Sequence, residues 1–302
     1  MTMFLKAALI HFCYLIIAPF SADAQQSPSE SWMQWGKTYP TWVKPIEPFK
    51  VIGNIYYVGT QGLSSFLITS SEGHILIDGG LPQNADLIAR NIKSLRFDIS
   101  DVKVLLNSHA HFDHSGGLKA LKDKSGARLI ASEGDRSALE GGFYLGYEDN
   151  NSYAAPPVKV DQVIHDNETV HVGNISITAT LTPGHTRGCT SWSMTAVEQK
   201  TSYDILFFCG ASVAGNSLVP AQYDGIVDDY RRTFEKTREW RPDVLLVNHP
   251  FYFNMAEKRA KQIAGNSQAF VDANGFPALI QQLENDFKAS LATAHSQQNP
   301  AE

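Results

Sequence analysis

The chain has 302 residues, of which 43% are hydrophobic and 19% charged, with a formal net charge of −6. This is ordinary globular composition, and the acidic balance argues against a general nucleic-acid binder, which would carry a basic surface. Length alone allows one large domain or two small ones.

The first segment, MTMFLKAALIHFCYLIIAPFSADAQQ, has one cation, Lys6, then an apolar run from Ala7 to Phe20 and the small-x-small pattern Ala22-Asp23-Ala24. It reads as a secretory signal peptide, residues 1–24, cleaved after Ala24. The alternative is a membrane anchor, but the run is short for a span of about 20 residues. No later stretch is apolar and long enough to cross a bilayer. The expected mature chain, residues 25–302, is exported to the periplasm, free of the membrane and a single domain.

Residues 25–48 are rich in Trp, Pro and Ser, with little periodicity, and read as an irregular N-terminal arm. Strands follow at FKVIGNIYYVGT, SSFLITSSEG and HILIDGG, separated by Gly, Asn and Ser. In LPQNADLIARNIKSLRF the residues Leu87, Ile88, Ile92 and Leu95 fall at helical spacing. VKVLLNS is a short buried-type strand, GGLKALKDKSG a helix and ARLIAS the next strand. Residues 140–160 mix Gly, Asn and Pro with Tyr and Phe, which predicts a long loop of the kind that often carries function.

Strands resume at VHVGNISITATLT, SWSMTA and DILFFCG. A helix is expected near DYRRTFEKTREW, a buried strand at DVLLVNHP and a helix at PALIQQLENDFKASLATAH. Cys13 leaves with the signal, and Cys189 and Cys209 flank an expected hairpin centred near Lys200. In an oxidising compartment this pair can close a disulfide; two separate buried thiols are the alternative, and both stay open. Strands then helices, twice over, predict an α/β fold of four layers, an αββα sandwich in one domain.

The densest chemistry lies in NSHAHFDHSGG, which puts His109, His111, Asp113 and His114 directly after an apolar strand. In a strand-end loop, His-x-His aims both imidazoles to one side, while the following Asp-His can serve a second ion. Two distant histidines stand in similar settings: His185 in LTPGHTRGC and His249 in LLVNHP. Five histidines and one aspartate give three protein ligands for each of two ions, leaving open positions for water and substrate. Imidazole with carboxylate suits Zn²⁺. The remaining histidines, His11, His74, His165, His171 and His295, lack ligand neighbours.

His-x-His-x-Asp-His after an apolar strand resembles the signature of the metallo-β-lactamase superfamily. HILIDGG resembles its upstream strand, which ends in a buried aspartate, here Asp78. The resemblance runs from about residue 48 to 276. It implies the αββα fold and two Zn²⁺ ions, the first on His109, His111 and His185, the second on Asp113, His114 and His249. Asp78 would steady a ligand from behind through hydrogen bonds. Many thioesterases and lactonases of the superfamily carry a metal-bridging aspartate where this chain has ILFFCGASVAG, with no acid. Subclasses B1 and B2 place a zinc-binding cysteine there; Cys209 is close, but Gly210 aligns with it. PFKVIGNIYYVGT, LTPGHTRGCTSW and GNSQAFVD resemble subclass B3.

The implied activity is hydrolysis of the β-lactam amide of penicillins, cephalosporins and carbapenems by a zinc-bound hydroxide, with Asp113 as the catalytic residue that orients it. The expected partner is a small β-lactam, with no nucleic acid, and the expected state is a monomer. Subclass B3 enzymes often carry a serine where Gly210 stands, so Ser212 is expected to share with Gly210 the contact to the substrate carboxylate. The late disulfide of many relatives would need cysteines near Pro242 and Phe276, and neither is present. The rivals are a lactone or thioester hydrolase on the same scaffold and a non-catalytic exported zinc binder. Trp32, Trp35, Phe143, Tyr144 and Tyr147 are candidate walls of the groove or residues packed onto the protein itself.

Overall fold

The structure is a computed structural model and describes residues 28–298. The signal segment, residues 1–24, lies outside the described residues. The first sheet holds seven strands side by side in chain order. They are β1 (Phe49–Ile52), β2 (Ile55–Tyr57), β3 (Phe66–Ser70), β4 (Gly73–Ile77), β5 (Val102–Leu106), β6 (Arg128–Ser132) and β7 (Gln162–Ile164). The second sheet is built from β8 (Thr169–Val172), β9 (Ile175–Leu181), β10 (Thr190–Glu198), β11 (Thr201–Phe208) and β12 (Val244–Val247). Its spatial order is β12-β11-β10-β9-β8. The helices are α1 (Pro28–Thr38), α2 (Ala85–Ser94), α3 (Phe112–Ser115), α4 (Leu118–Ser125), α5 (Glu133–Gly141), α6 (Ile226–Thr237), α7 (Met255–Ile263) and α8 (Gly275–Gln298).

Side chains alternate across a strand, so one apolar run can feed two cores. In β4 and β5, Ile75, Ile77, Val104 and Leu106 point between the sheets, where they join Ile177, Trp192 and Phe207. Their neighbours Leu76 and Leu105 point outward and meet Ile88 and Ile92 of α2 and Leu118 and Leu121 of α4. A stretch buried on both faces must be apolar, which is why residues 104–106 and 75–77 lack the usual polar alternation. On the far side, Tyr230 of α6 and Phe276 and Phe287 of α8 continue the inter-sheet core, with Phe276 edge-on to Phe208 at 5.1 Å between ring centroids. Helix, sheet, sheet, helix is the αββα sandwich expected from the order of elements.

β4, β5 and β6 run parallel, as do β11 and β12. Loops leaving the C-terminal ends of these strands carry Asp78, His109, Gly210 and His249. The β10–β11 hairpin turns at Gln199-Lys200, both with positive φ (48° and 71°), as a two-residue turn of this hand requires. That hairpin brings Cys189 and Cys209, just beyond its open ends and one residue out of register, close together, and they form a disulfide with Cα atoms 5.8 Å apart. The reading as two separate thiols is therefore corrected.

Several elements depart from the sequence reading, among them the strand β7 and the short helix α3, which it did not contain. The arm expected to be irregular contains the helix α1, whose Trp32 and Trp35 indoles donate to Ala154 O (2.8 Å) and Ser152 O (2.6 Å). Helix α5 runs into the segment read as a long loop, and α7 was not anticipated. No helix among the described residues is long and apolar enough to cross a membrane.

Candidate metal centre

Asp78 follows β4 in the left-handed region (φ 60°), a conformation aspartate tolerates better than most residues. Its buried carboxylate accepts from Asn107 Nδ2 (3.0 Å), Ser108 N (2.7 Å) and Ser108 Oγ (2.7 Å). Since the Ser108 hydroxyl proton goes to Asp78, the oxygen can only accept from His109 Nδ1, 3.0 Å away. The proton of neutral His109 is thereby placed on Nδ1. Its Nε2 is left bare and buried with no hydrogen-bond partner.

The same logic fixes two more rings. His185 Nδ1 lies 2.7 Å from Ser212 O and His249 Nδ1 lies 3.3 Å from Gly62 O. A carbonyl only accepts, so both rings carry the proton on Nδ1 and leave Nε2 unprotonated, as a ligating histidine needs. His111 caps α3 and stacks on Tyr144, with ring centroids 4.1 Å apart and planes 11° from parallel. One ligand atom each from His109, His111 and His185 falls within 4.8 Å of the others, and the same holds for Asp113, His114 and His249. His114 Nε2 is 3.1 Å from Asp113 Oδ2 and 3.2 Å from His249 Nε2.

Electrostatics favours the protonation states that a metal requires. Burial, then the crowding of the other histidines, drives His109 and His111 well below the usual imidazole range, and burial lowers His185 too. His249 is lowered to about 4, first by burial and then by His114. Burial alone would raise the Asp113 carboxyl, but His114, with help from His249 and His111, outweighs it and keeps Asp113 ionised. Burial would lower His114, yet Asp113 and Asp78 raise it. The bare buried Nε2 of His109, four imidazoles held neutral and one ionised carboxylate fit a divalent metal of the zinc type, which would take the place of the proton that Asp113 and Asp78 favour on His114.

These shifts carry a sign. The lowered histidines bind fewer protons folded than unfolded, so the stability they contribute is full above the unfolded value of 6.5 and is lost as pH falls below it, for His249 down to about 4. His114 is raised and is protonated in both states below 6.5. Asp78 and Asp135, raised by burial, take up protons when folded and oppose the trend over part of the window. With four histidines lowered against two acids raised, the histidines set the direction, and stability falls as the pH drops through this window. The chelated protein should therefore unfold at lower denaturant at pH 5 than at pH 7; an equal or higher midpoint at pH 5 would contradict this.

The two groups open into a cavity of about 610 Å³ lined by His111, Asp113, His185, His249 and Ser212. Its walls are aromatic: Trp35, Tyr39, Trp42, Phe112, Tyr144, Tyr147, Tyr153, Phe251 and Tyr252. No lysine or arginine lines it, and Asp113 is its one acidic residue. Gly210 is buried and is not among the lining residues, whereas Ser212 is. Of the aromatics singled out from the sequence, Trp35, Tyr144 and Tyr147 reach the cavity. Trp32 instead faces the 151–155 loop, and Phe143 packs against the outer core.

Sequence reasoning missed Tyr39, Trp42, Phe112, Tyr153, Phe251 and Tyr252, although the aromatic run directly after His249 was a visible signal. It also missed Asp135, buried and hydrogen-bonded to both ligand loops, which no local pattern marks.

A sequence profile described as the metallo-beta-lactamase superfamily matches residues 58–195. BJP-1, a subclass B3 metallo-β-lactamase of Bradyrhizobium japonicum, is 43% identical, with a TM-score of 0.84 over 86% of this chain and 98% of that one. The native FEZ-1 metallo-β-lactamase from Legionella gormanii is 36% identical, with a TM-score of 0.81 over 84% of this chain and 98% of that one. The chain belongs to the metallo-β-lactamase superfamily. Within it, the structural neighbours are subclass B3 enzymes. A hydroxyacylglutathione hydrolase of Mesorhizobium japonicum is 24% identical over 123 residues, covering 41% of this chain. The chain spans under half the length of that relative, 41%.

Proposed function

We propose that this metallo-hydrolase is a β-lactamase that carries two Zn²⁺ ions and opens the lactam amide of penicillins, cephalosporins and carbapenems. The observation that carries the proposal is the second group: Asp113, His114 and His249 converge beside an open cavity in which no further carboxylate is available to bridge two ions. The identity with BJP-1, named as a subclass B3 metallo-β-lactamase, supports it. Export to the periplasm belongs to the same proposal and rests on the pattern of residues 1–24; a monomeric state is proposed with it.

His109, His111 and His185 would hold one ion, and Asp113, His114 and His249 the other. Bound there, zinc supplies Lewis-acid polarisation of a carbonyl and acidifies water enough to yield a nucleophile at neutral pH. The chain's residues supply the rest. The Nδ1 bonds of His185 and His249 to backbone carbonyls stop those rings from turning away. Ionised Asp113 accepts a hydrogen bond from the attacking water and orients it. Ser212 stands at the wall, where its hydroxyl can donate to the substrate carboxylate. The aromatic walls enclose the acyl substituent and exclude bulk water. No serine acyl-enzyme is needed.

A thioester reading is favoured by the hydroxyacylglutathione hydrolases among the sequence relatives. One panel separates the two: a penicillin, a cephalosporin, a carbapenem and a hydroxyacyl-glutathione thioester, each with and without chelator. Lactam turnover at about 10⁴ M⁻¹s⁻¹ or more, abolished by chelator and restored by zinc, is the expected result. Thioester turnover with all three lactams inert would overturn it.

A further inference from the structure

We propose that Asp135 is a positioning residue of the metal centre, its carboxylate fastening the loop that bears His109 and His111 to the loop that bears His185. This rests on reading those three histidines as metal ligands and on no particular substrate.

Asp135 sits in the first turn of α5, just beyond β6. Its side chain touches no metal ligand atom by hydrogen bond; it works through backbone. Oδ2 accepts from Ala110 N at 2.9 Å, the amide between His109 and His111. The same oxygen accepts from Thr186 Oγ1 at 2.8 Å, and Oδ1 accepts from Gly188 N at 2.9 Å, so both bonds hold the chain that follows His185. The contact spans 25 residues one way and 53 the other. Nothing else in the mechanism uses this carboxylate, which is 3% exposed.

The chain is shaped to let this acid in. A Cβ on Gly188 would lie 2.3 Å from Asp135 N and 2.6 Å from its Cγ; a Cβ on Gly134 would lie 2.7 Å from Arg187 O. Two glycines back to back bring the start of α5 against the His185 loop more closely than any side chain would allow. Ser132 Oγ donates to Gly188 O at 2.6 Å and closes the seam. A buried carboxylate is costly unless its hydrogen bonds are satisfied, and here three donors converge on it. The arrangement sets the spacing between the His109–His111 pair and His185, and that spacing is what three ligands on one ion demand.

The isosteric Asp135→Asn tests this in the full mature chain. The amide keeps the volume but turns one acceptor into a donor facing an N–H or O–H donor, so the seam loses either the Gly188 bond or the Ala110 and Thr186 bonds together, and the carboxylate's grip on the two loops is weakened. Zinc is titrated into the metal-free protein against a chelating dye. One binding step should weaken about 10–100-fold while the other changes by less than about threefold, with the near-ultraviolet circular dichroism of the metal-free protein unchanged. Unchanged affinities, or equal weakening of both steps, would overturn the proposal, since a merely structural acid has no reason to favour one site. If Asp135→Asn fails to fold, Thr186→Val removes a single bond of the same seam; a folded Thr186→Val that weakens one step selectively supports the proposal, and one that binds zinc as the parent does overturns it. The readout is metal affinity, so a failure of the lactam reading leaves it intact.

Discussion

His111→Ala is expected to lower kcat/KM for a penicillin by at least about 10³-fold, on the order of 4 kcal/mol in the transition state, and to do so by losing metal. His111 is one of three imidazoles whose ligand atoms lie within 4.8 Å of one another. Without it, two remain, too few for a catalytic zinc site of the usual three protein ligands. The loss of a general base would predict something different. Burial and the neighbouring histidines keep this ring neutral far below neutral pH, so its lone pair is free for a metal, and it has little affinity for a proton taken from water.

The fold should survive the change. The bonds that start α3 come from His111 O, which accepts from His114 N and Ser115 N, each at 2.9 Å. These do not depend on the side chain. Tyr144 loses the ring it stacks on but keeps its hydroxyl bond to Asn216 at 2.7 Å. Zinc content per chain, measured beside activity, decides the matter: full zinc with full activity rejects His111 as a ligand, and full zinc with no activity assigns it a role in proton transfer.

Local pattern carried much of this architecture. The alternation of Ile75, Leu76 and Ile77 between the two cores is written in β4 as the apolar run between His74 and Asp78, and the ligand spacing 109, 111, 113, 114 needs no partner to be seen. What stayed hidden depends on contacts far along the chain. Helix α1 has no apolar stripe of its own; its tryptophans are held by carbonyls more than 110 residues away. Helix α7 buries only Met255 and Lys258, so its nine residues show no periodicity to find. Asp135 looks like any acid in a first helical turn until Ala110, Thr186 and Gly188 close around it. The cysteine pair lies between these cases. The hairpin placed Cys189 near Cys209, yet bonded and unbonded pairs share that hairpin, and only the 5.8 Å Cα separation selects the bond.

Asp113→Asn should lower kcat/KM for the same substrate by about 10²–10³-fold, roughly 3–4 kcal/mol, and lower bound zinc from two equivalents to one. The amide matches the carboxylate in size and leaves the 7%-exposed site packed, so the change isolates charge. In the parent chain that charge holds His114 Nε2 at 3.1 Å and faces His249 Nε2 at 3.4 Å. Its removal takes the only anionic ligand from the second group and leaves the three histidines of the first untouched. The two roles given to Asp113, holding an ion and orienting water, then separate by stoichiometry. If the variant keeps both zinc ions and loses turnover, orientation is the main role and the second ion rests on His114 and His249. If it keeps one ion and a residual rate that added zinc does not raise, the carboxylate is the ligand on which the second ion depends. Retention of both ions with an unchanged rate would exclude each role for Asp113.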